Sequence, residues 1–340
     1  MKAFYFSHPG SCQLIERPDP TLNSKFNILL KVKACGVCKT DYHIASLPQL
    51  HPGENGIILG HEIVGEIVDI YSPISGSKLK IDDLCTVTPN VPCMECKNCK
   101  CGLANICVAE QKTVIGITVD GGLAEYVSVP HVSVHKIPEN VNLENAVFAE
   151  PMTCVLDAFV SAGDLYGKNV VIAGAGPAGL LFCILAKHFG ANTVISTDIS
   201  QYRIDKALEF GADHVMISQD GVFPDGITTL CDDVDIVFDT VGTLVDGALK
   251  IVRRGGKVII YGLDQNARIP ISPFDIVLNK KQVLGGFANS QLMWRVSNIL
   301  ANVDLNKLIT HRIGLDDMSL QSLARINSDE VLKMVVYPNQ

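Results

Sequence analysis

The sequence predicts an α/β protein in which a doubly wound, six-stranded parallel sheet is joined to a second, mostly β domain. Three observations predict it. From Asn169 onward, short apolar runs alternate with helical patterns, as a parallel sheet with helical crossovers requires. Before that point the runs are rich in Val, Ile, Gly and Pro and are separated by turn residues, the texture of antiparallel strand and loop. The length of 340 residues exceeds the roughly 100 to 200 residues of one average domain.

In the first part, strands are expected at 28–32, 63–70 and 126–129, and in the second at 170–173, 193–197, 214–217, 235–238, 257–261 and 282–286. Ser200 stands where it can cap the helix carrying Ile204, Ala207, Leu208 and Phe210, with Gly211 at its stop. Arg254-Gly255-Gly256 is read as the stop of a later helix. After Gly286 the alternation fades, and the chain is expected to return to the first domain. The expected domains are therefore a discontinuous one, 1–154 with 289–340, and an inserted one, 155–288.

Composition narrows the function. With 47% hydrophobic and 19% charged residues and a formal charge of -8, the chain is an ordinary globular protein whose sign of charge disfavours nucleic acid or an anionic membrane as partner. A small-molecule substrate is expected. The segment 170–186 carries no charge, but Gly174, Gly176, Pro177 and Gly179 interrupt it and it is shorter than the roughly 20 residues a bilayer requires. The N-terminal residues lack the basic-then-apolar form of a signal peptide, so the twelve cysteines are read as reduced thiols in the cytoplasm.

The expected strand 170–173 runs into Gly174-Ala175-Gly176-Pro177-Ala178-Gly179 and then into an apolar helix, and Asp198 closes the next strand nineteen residues beyond Gly179. In this context the G-x-G-x-x-G pattern is a dinucleotide fingerprint, the Rossmann arrangement. Gly174 permits the tight turn, Gly176 lets the backbone approach a pyrophosphate, and Gly179 lets the helix pack close, while Pro177 and Ala178 open the helix whose N-terminus faces the phosphates. Asp198 would accept from the ribose hydroxyls and repel a 2′-phosphate, which predicts NAD over NADP, with Arg203 able to soften the preference.

Two metal sites are separable. Cys93, Cys96, Cys99 and Cys107 are spaced by two, two and seven residues, enough to wrap four thiolates around one structural zinc. The iron–sulfur run of bacterial ferredoxins has three residues before its fourth cysteine and a proline after it, unlike this loop. Cys101 is read as a spare thiol, and Cys12, Cys35, Cys85, Cys154, Cys183 and Cys231 as small hydrophobes. Cys38 and His61 with a carboxylate such as Glu62 fit an open, catalytic zinc of mixed ligands. Asp41 is read as a structural partner that holds its loop through backbone N–H groups.

Taken together, the run Cys35 to His43, the Gly60-His61-Glu62 sequence, the four-cysteine lobe and the glycine turn resemble the zinc-dependent medium-chain dehydrogenase/reductase family over essentially the whole chain. The resemblance implies a GroES-like catalytic domain beside the Rossmann domain, with two zinc ions and NAD. It implies Cys38 and His61 as zinc ligands, Glu62 as a neighbouring carboxylate, Thr40 as a hydroxyl relay and His43 as the group that passes the proton to solvent. Where some members carry a second cysteine, this chain has Glu150, the residue of the sorbitol, other polyol and threonine dehydrogenases, so Glu62 and Glu150 are expected to share one coordination role. The implied reaction is oxidation of a secondary hydroxyl of a polyol to a ketose. Threonine, sugar-alcohol phosphates and simple secondary alcohols are the alternative substrates, and an inactive NAD-binding relative is the rival from another class. A homodimer or homotetramer is implied, paired through the edge strand near 282–286.

Overall fold

The computed structural model describes residues 1–72, 76–110, 112–219 and 222–339. It divides into two compact units, Met1–Thr153 with Asn289–Gln340, and Cys154–Ala288.

The first unit is built around the strand Ile28–Val37. Ile28, Leu30 and Val32 are fully buried while Leu29, Lys31 and Lys33 are only half-buried, the period-two pattern of a strand with one face in the core. From Ala34 to Val37 both faces are buried, because the strand passes beneath other elements there. Glu62–Ile70 pairs along one side, and Tyr126–Val129 and then Lys333–Tyr337 share the other, all antiparallel. Leu84–Val87 and Val134–Lys136 extend the sheet at one edge and Ile309–Gly314, parallel to Lys333–Tyr337, at the other. A separate sheet holds Ser11–Glu16, Lys2–His8 and Ile57–Ile58. Residues from both ends of the chain thus complete one core, in which each fully buried aliphatic side chain contributes about 1.5–3 kcal/mol.

Register positions the chemistry. Cys35 lies opposite Ile63 and Gly36 opposite Glu62, so the end of one strand, at Cys38, and the start of its neighbour, at His61 and Glu62, emerge side by side. Gly60 makes the bend before the second strand with φ +96, and a Cβ there would come within 2.9 Å of Cys35 Sγ. Only glycine accepts that backbone at that spacing.

The second unit is a six-stranded parallel sheet in the order His214–Ile217, Thr193–Asp198, Asn169–Ala173, Val234–Asp239, Val252–Ile260, Gln282–Gly285. Numbered along the chain this is 3-2-1-4-5-6, the doubly wound order of dinucleotide-binding sheets. Val170 to Ala173 are fully buried, as helices on both faces require. Phe182 meets the rings of Phe159 and Phe238 at centroid distances of 5.3 and 4.8 Å, locking the helix Pro177–His188 onto the sheet.

Two expectations about helix ends are corrected. Ser200 occupies the N-cap position of the helix Gln201–Glu209 without capping it by its side chain; its N–H donates to Asp198 Oδ1 at 2.9 Å instead. Arg254-Gly255-Gly256 does not stop a helix. The helix Val245–Ile251 ends before it, and the three residues lie in the strand Val252–Ile260. There the pairing steps from Val234–Val252 to Ile236–Lys257 and Gly255 takes φ +74, so these residues form a bulge. Among the described residues, no helix is long and apolar enough to cross a membrane.

Candidate active site and metal centres

The lobe at 93–107 brings four thiols together. Sγ separations are 3.5 Å for Cys93–Cys107 and Cys96–Cys99, 3.9 Å for Cys93–Cys99 and 4.0 Å for Cys96–Cys107. A tetrahedral zinc with Zn–S bonds of about 2.3 Å has sulfur–sulfur edges of about 3.8 Å, so the thiols outline the required polyhedron. Backbone N–H groups of Cys99 and Val108 pull the Cys96 thiol down to about 6, and those of Cys93 and Ala109 pull Cys107 down. Cys99, penalised first by burial and then by its neighbour Cys96, is pushed up to about 12. A cation at the centre is what allows all four to ionise together. Cys101 is exposed and ends the short helix Lys97–Lys100, its N–H donating to Lys97 and Asn98 carbonyls; it does not join the four. Burial pushes Cys12, Cys85 and Cys183 up to about 12 and Cys35 well up, leaving them inert.

The second group is Cys38, His61 and Glu62, whose ligand atoms lie within 4.8 Å of one another. Asp41 organises it. Fully buried in the first turn of the helix Lys39–Ala45, its carboxylate accepts from Cys38 N–H at 2.8 Å and Gly60 N–H at 3.2 Å. Oδ1 also stands 3.3 Å from His61 Nδ1. A carboxylate behind a histidine in this way fixes the ring and raises its basicity. Burial works to push His61 down, but the charges of Asp41 and Cys38 and hydrogen bonds to both outweigh it and hold the ring well above the ordinary histidine range. A divalent cation suits the same field and the same donors.

Glu62 is buried and ion-paired to Lys333, itself buried in the strand Lys333–Tyr337. Burial acts to push Lys333 down, but the charges of Glu62, Cys38 and Glu150 and the hydrogen bond to Glu62 hold it above the usual lysine range. Glu150 is buried in the first turn of the helix Ala149–Ala162 and does not join the Cys38–His61–Glu62 group. Cys154, one turn on, does not join it either. Thr40 and His43 lie three residues apart on one helix, on the same face. Burial, then the charges of Lys39 and His51, pushes His43 down.

In the glycine turn, Gly174 has φ +98 and donates to Thr197 O at 2.7 Å. A Cβ on Gly179 would overlap the Gly174 carbonyl, whereas one on Gly176 would meet nothing within 4 Å. The third glycine is therefore demanded by packing within the chain, and the second faces open space at the N-terminus of the helix Pro177–His188, the cradle a pyrophosphate needs. Asp198 is buried, with Oδ2 accepting from Ala175 N–H at 2.7 Å as well as Oδ1 from Ser200. Arg203 lies on the first turn of the following helix.

Comparison with known proteins decides the family. The zinc-binding dehydrogenase family matches residues 177–302 and the alcohol dehydrogenase GroES-like domain matches residues 24–139. The chain belongs to the zinc-dependent medium-chain dehydrogenase/reductase family. It is similar to a sorbitol dehydrogenase of Bacillus subtilis, 31% identical over 100% of this chain and 98% of that one. It is also similar to an L-threonine 3-dehydrogenase of Pseudoalteromonas translucida, 29% identical over 89% and 90%. Among solved structures, a zinc-binding dehydrogenase of Sinorhizobium meliloti with NADP bound superposes with a TM-score of 0.91 at 30% identity, covering 99% of both chains. This medium-chain dehydrogenase is thus an oxidoreductase, a zinc-dependent alcohol or polyol dehydrogenase.

Two residues of its site escape sequence reasoning. Asp41 was expected to hold its loop, and it does so, but its approach to His61 was not anticipated; its place three residues after Cys38 was the available signal. Lys333 carries no local signal, because the carboxylate it meets, Glu62, lies far away in the sequence.

Two outcomes are expected. Cys107→Ser lowers zinc by one equivalent per chain, measured by elemental analysis, and Cys101→Ser leaves it unchanged; equal loss from both would reverse the assignment of Cys101. Gly176→Val leaves the melting temperature in place but raises the KM for dinucleotide about tenfold or more, one step of roughly 1.4 kcal/mol. Gly179→Ala instead destabilises the fold by about 1–3 kcal/mol through overpacking.

Proposed function

We propose that this dehydrogenase oxidises a secondary hydroxyl of a polyol of the sorbitol or iditol type to a ketone, with NAD as acceptor. The observation that carries the reading is the donor set: one thiol, Cys38, one imidazole, His61, and carboxylates, with no second cysteine in the group among the described residues. Carboxylate oxygen makes a zinc site harder and more tolerant of further oxygen ligands than a second thiolate would, which suits a vicinal diol. The similarity to a sorbitol dehydrogenase supports the same substrate class. The similarity to L-threonine 3-dehydrogenases supports a second reading, an amino alcohol.

Cys38 and His61, with Glu150 or Glu62, would hold the catalytic zinc, and Cys93, Cys96, Cys99 and Cys107 the structural one. When bound, zinc supplies Lewis acidity toward a hydroxyl, and NAD supplies the hydride acceptor. Thr40 and His43 accept the hydroxyl proton and pass it toward solvent. The downward push on His43 keeps its ring neutral at pH 7 and able to take that proton. Gly174, Gly176, Pro177, Ala178 and Gly179 seat the pyrophosphate, and Asp198 takes the ribose hydroxyls. Because its carboxylate is held by two backbone N–H groups, it stays fixed and disfavours a 2′-phosphate, with Arg203 the nearest offset in sequence.

The active form is proposed to be a homodimer, open to further association as a homotetramer. Among the described residues, the edge strand Gln282–Gly285 pairs on one side only. The helix before it, Pro273–Asn279, buries none of its residues and exposes Phe274, Val277 and Leu278 by 73%, 77% and 63%. A twofold axis beside the edge would pair the two strands and cover both apolar faces. The compartment proposed is the cytoplasm, where the lobe thiols stay reduced.

Assays of cofactor reduction with a panel of polyols, L-threonine and simple secondary alcohols test the substrate. Polyol turnover that a chelator abolishes and zinc restores is expected, with kcat/KM for NAD at least about tenfold above NADP. Turnover confined to threonine or to simple alcohols would overturn the polyol reading. Light scattering should give a dimer or tetramer, and Val277→Glu with Leu278→Glu should give a monomer; a monomeric wild type would refute the pairing.

A further inference from the structure

We propose that His51 continues the proton path of this dehydrogenase, taking from His43 the proton that leaves the substrate hydroxyl and giving it to solvent. His51 acts through His43 and not on substrate, so the inference rests on the reading of Thr40 and His43 as the first members of that path.

The chain after the helix Lys39–Ala45 is built onto His43. The His43 carbonyl accepts from Leu50 N–H at 2.9 Å and His51 N–H at 3.3 Å. Ser46 Oγ stands 3.2 Å from the same carbonyl and 3.0 Å from that of Pro48, able to donate to either. Gln49 Nε2 donates to the Ile44 carbonyl at 3.3 Å. Two histidines that the sequence separates are thereby placed side by side. Both are half-buried, and His51 is flanked by the exposed residues Leu50 and Pro52, so a proton that reaches it is at the water boundary.

A relay group must offer a lone pair to the arriving proton. His51 Nδ1 lies 2.7 Å from the Pro52 carbonyl. That oxygen can only accept, so Nδ1 carries the hydrogen and Nε2 of the neutral ring keeps its lone pair. His43 holds an arriving proton weakly, because burial and then the charges of Lys39 and His51 push it down. Of those two neighbours Lys39 is an ammonium with no lone pair, which leaves His51 to accept. The segments Leu320–Ala324 and Arg325–Asn327 pack on the same helix. Their one charged side chain, Arg325, stands 3.4 Å from His311 Nε2 and has no lone pair to give.

The transfer is balanced without any further reactant. The N–H bond of the His43 imidazolium breaks as a new one forms at His51 Nε2, directly or through one water. The His51 imidazolium then loses that proton to solvent, so each hydride delivered to the cofactor leaves one proton in water. Repulsion between the two rings disfavours a second proton on the pair, so the first departs before the next arrives.

The test measures single-turnover NADH formation by the zinc-loaded full chain, with the alcohol it oxidises fastest, at low and high HEPES and constant ionic strength. HEPES serves as an external proton acceptor that binds zinc weakly. His51→Gln is expected to slow the turnover about tenfold at low HEPES and to return toward the wild-type rate at high HEPES, with the KM for NAD unchanged. Wild type is indifferent to HEPES. His51→Lys, which keeps a positive charge but has no lone pair, shows the same loss and the same rescue. A wild-type rate for His51→Gln at low HEPES overturns the inference, and so does a loss that HEPES does not repair, which marks a structural role. If His51→Gln does not fold, His51→Lys is judged by the same two results. Failure of the underlying relay reading shows differently, as a His43→Gln chain that turns over at the wild-type rate at low HEPES.

Discussion

The carboxylate of Asp41 is the constraint on which the catalytic group depends. It sits where water cannot reach it and joins two segments that the chain order does not join, through Cys38 N–H, Gly60 N–H and His61 Nδ1. A buried carboxylate costs several kcal/mol unless it is satisfied. Here the backbone donors satisfy it only if the helix Lys39–Ala45 and the bend at Gly60 lie at one separation. Sheet register brings Cys38 and His61 close, and Asp41 converts closeness into a defined placement of the imidazole.

Around that anchor, the two metal centres solve the problem of gathered negative charge in different ways. The four-thiol lobe has backbone N–H groups aimed at sulfur, yet Cys99 resists ionisation while its neighbours favour it. Such a lobe is complete only with a cation, so its folding is coupled to metal binding. The group at Cys38 is scaffolded without one: Asp41 supports the histidine from behind, and Lys333 occupies the carboxylate. A preformed site whose residues are already held in place can offer an open position, whereas a lobe that closes around its ion cannot.

Much of this was legible in the sequence, and the reason differs by element. The six strands of the second unit announce themselves because a parallel sheet covered on both faces reads as continuous apolar runs, such as Val170 to Ala173. The glycine turn was legible because each glycine answers a local steric demand, seen at Gly179 against Gly174 and at Gly176 facing open space. Spacing alone marked the four cysteines. What was not legible depends on distant residues. Lys333 meets Glu62 across the sheet from the far end of the chain, and no local pattern names that partner. Ser200 looks like a cap, but Asp198 two residues earlier takes its N–H, and Arg254-Gly255-Gly256 looks like a helix stop because a glycine-rich bulge and a C-cap demand the same backbone freedom.

Replacing a catalytic thiolate by a carboxylate changes more than the hardness of a zinc site. Neither ligand alters the formal charge relative to the other, but a carboxylate has two oxygens and can bind by either or both, so the coordination number is no longer set by the ligand count alone. With Glu62 and Glu150 both buried near Lys333, the centre has more oxygen donors than a four-coordinate zinc can use at once. The ion pair to Lys333, given space by the missing side chain at Gly36, compensates one of these carboxylates without adding a donor atom of its own, because an ammonium group has no lone pair to offer.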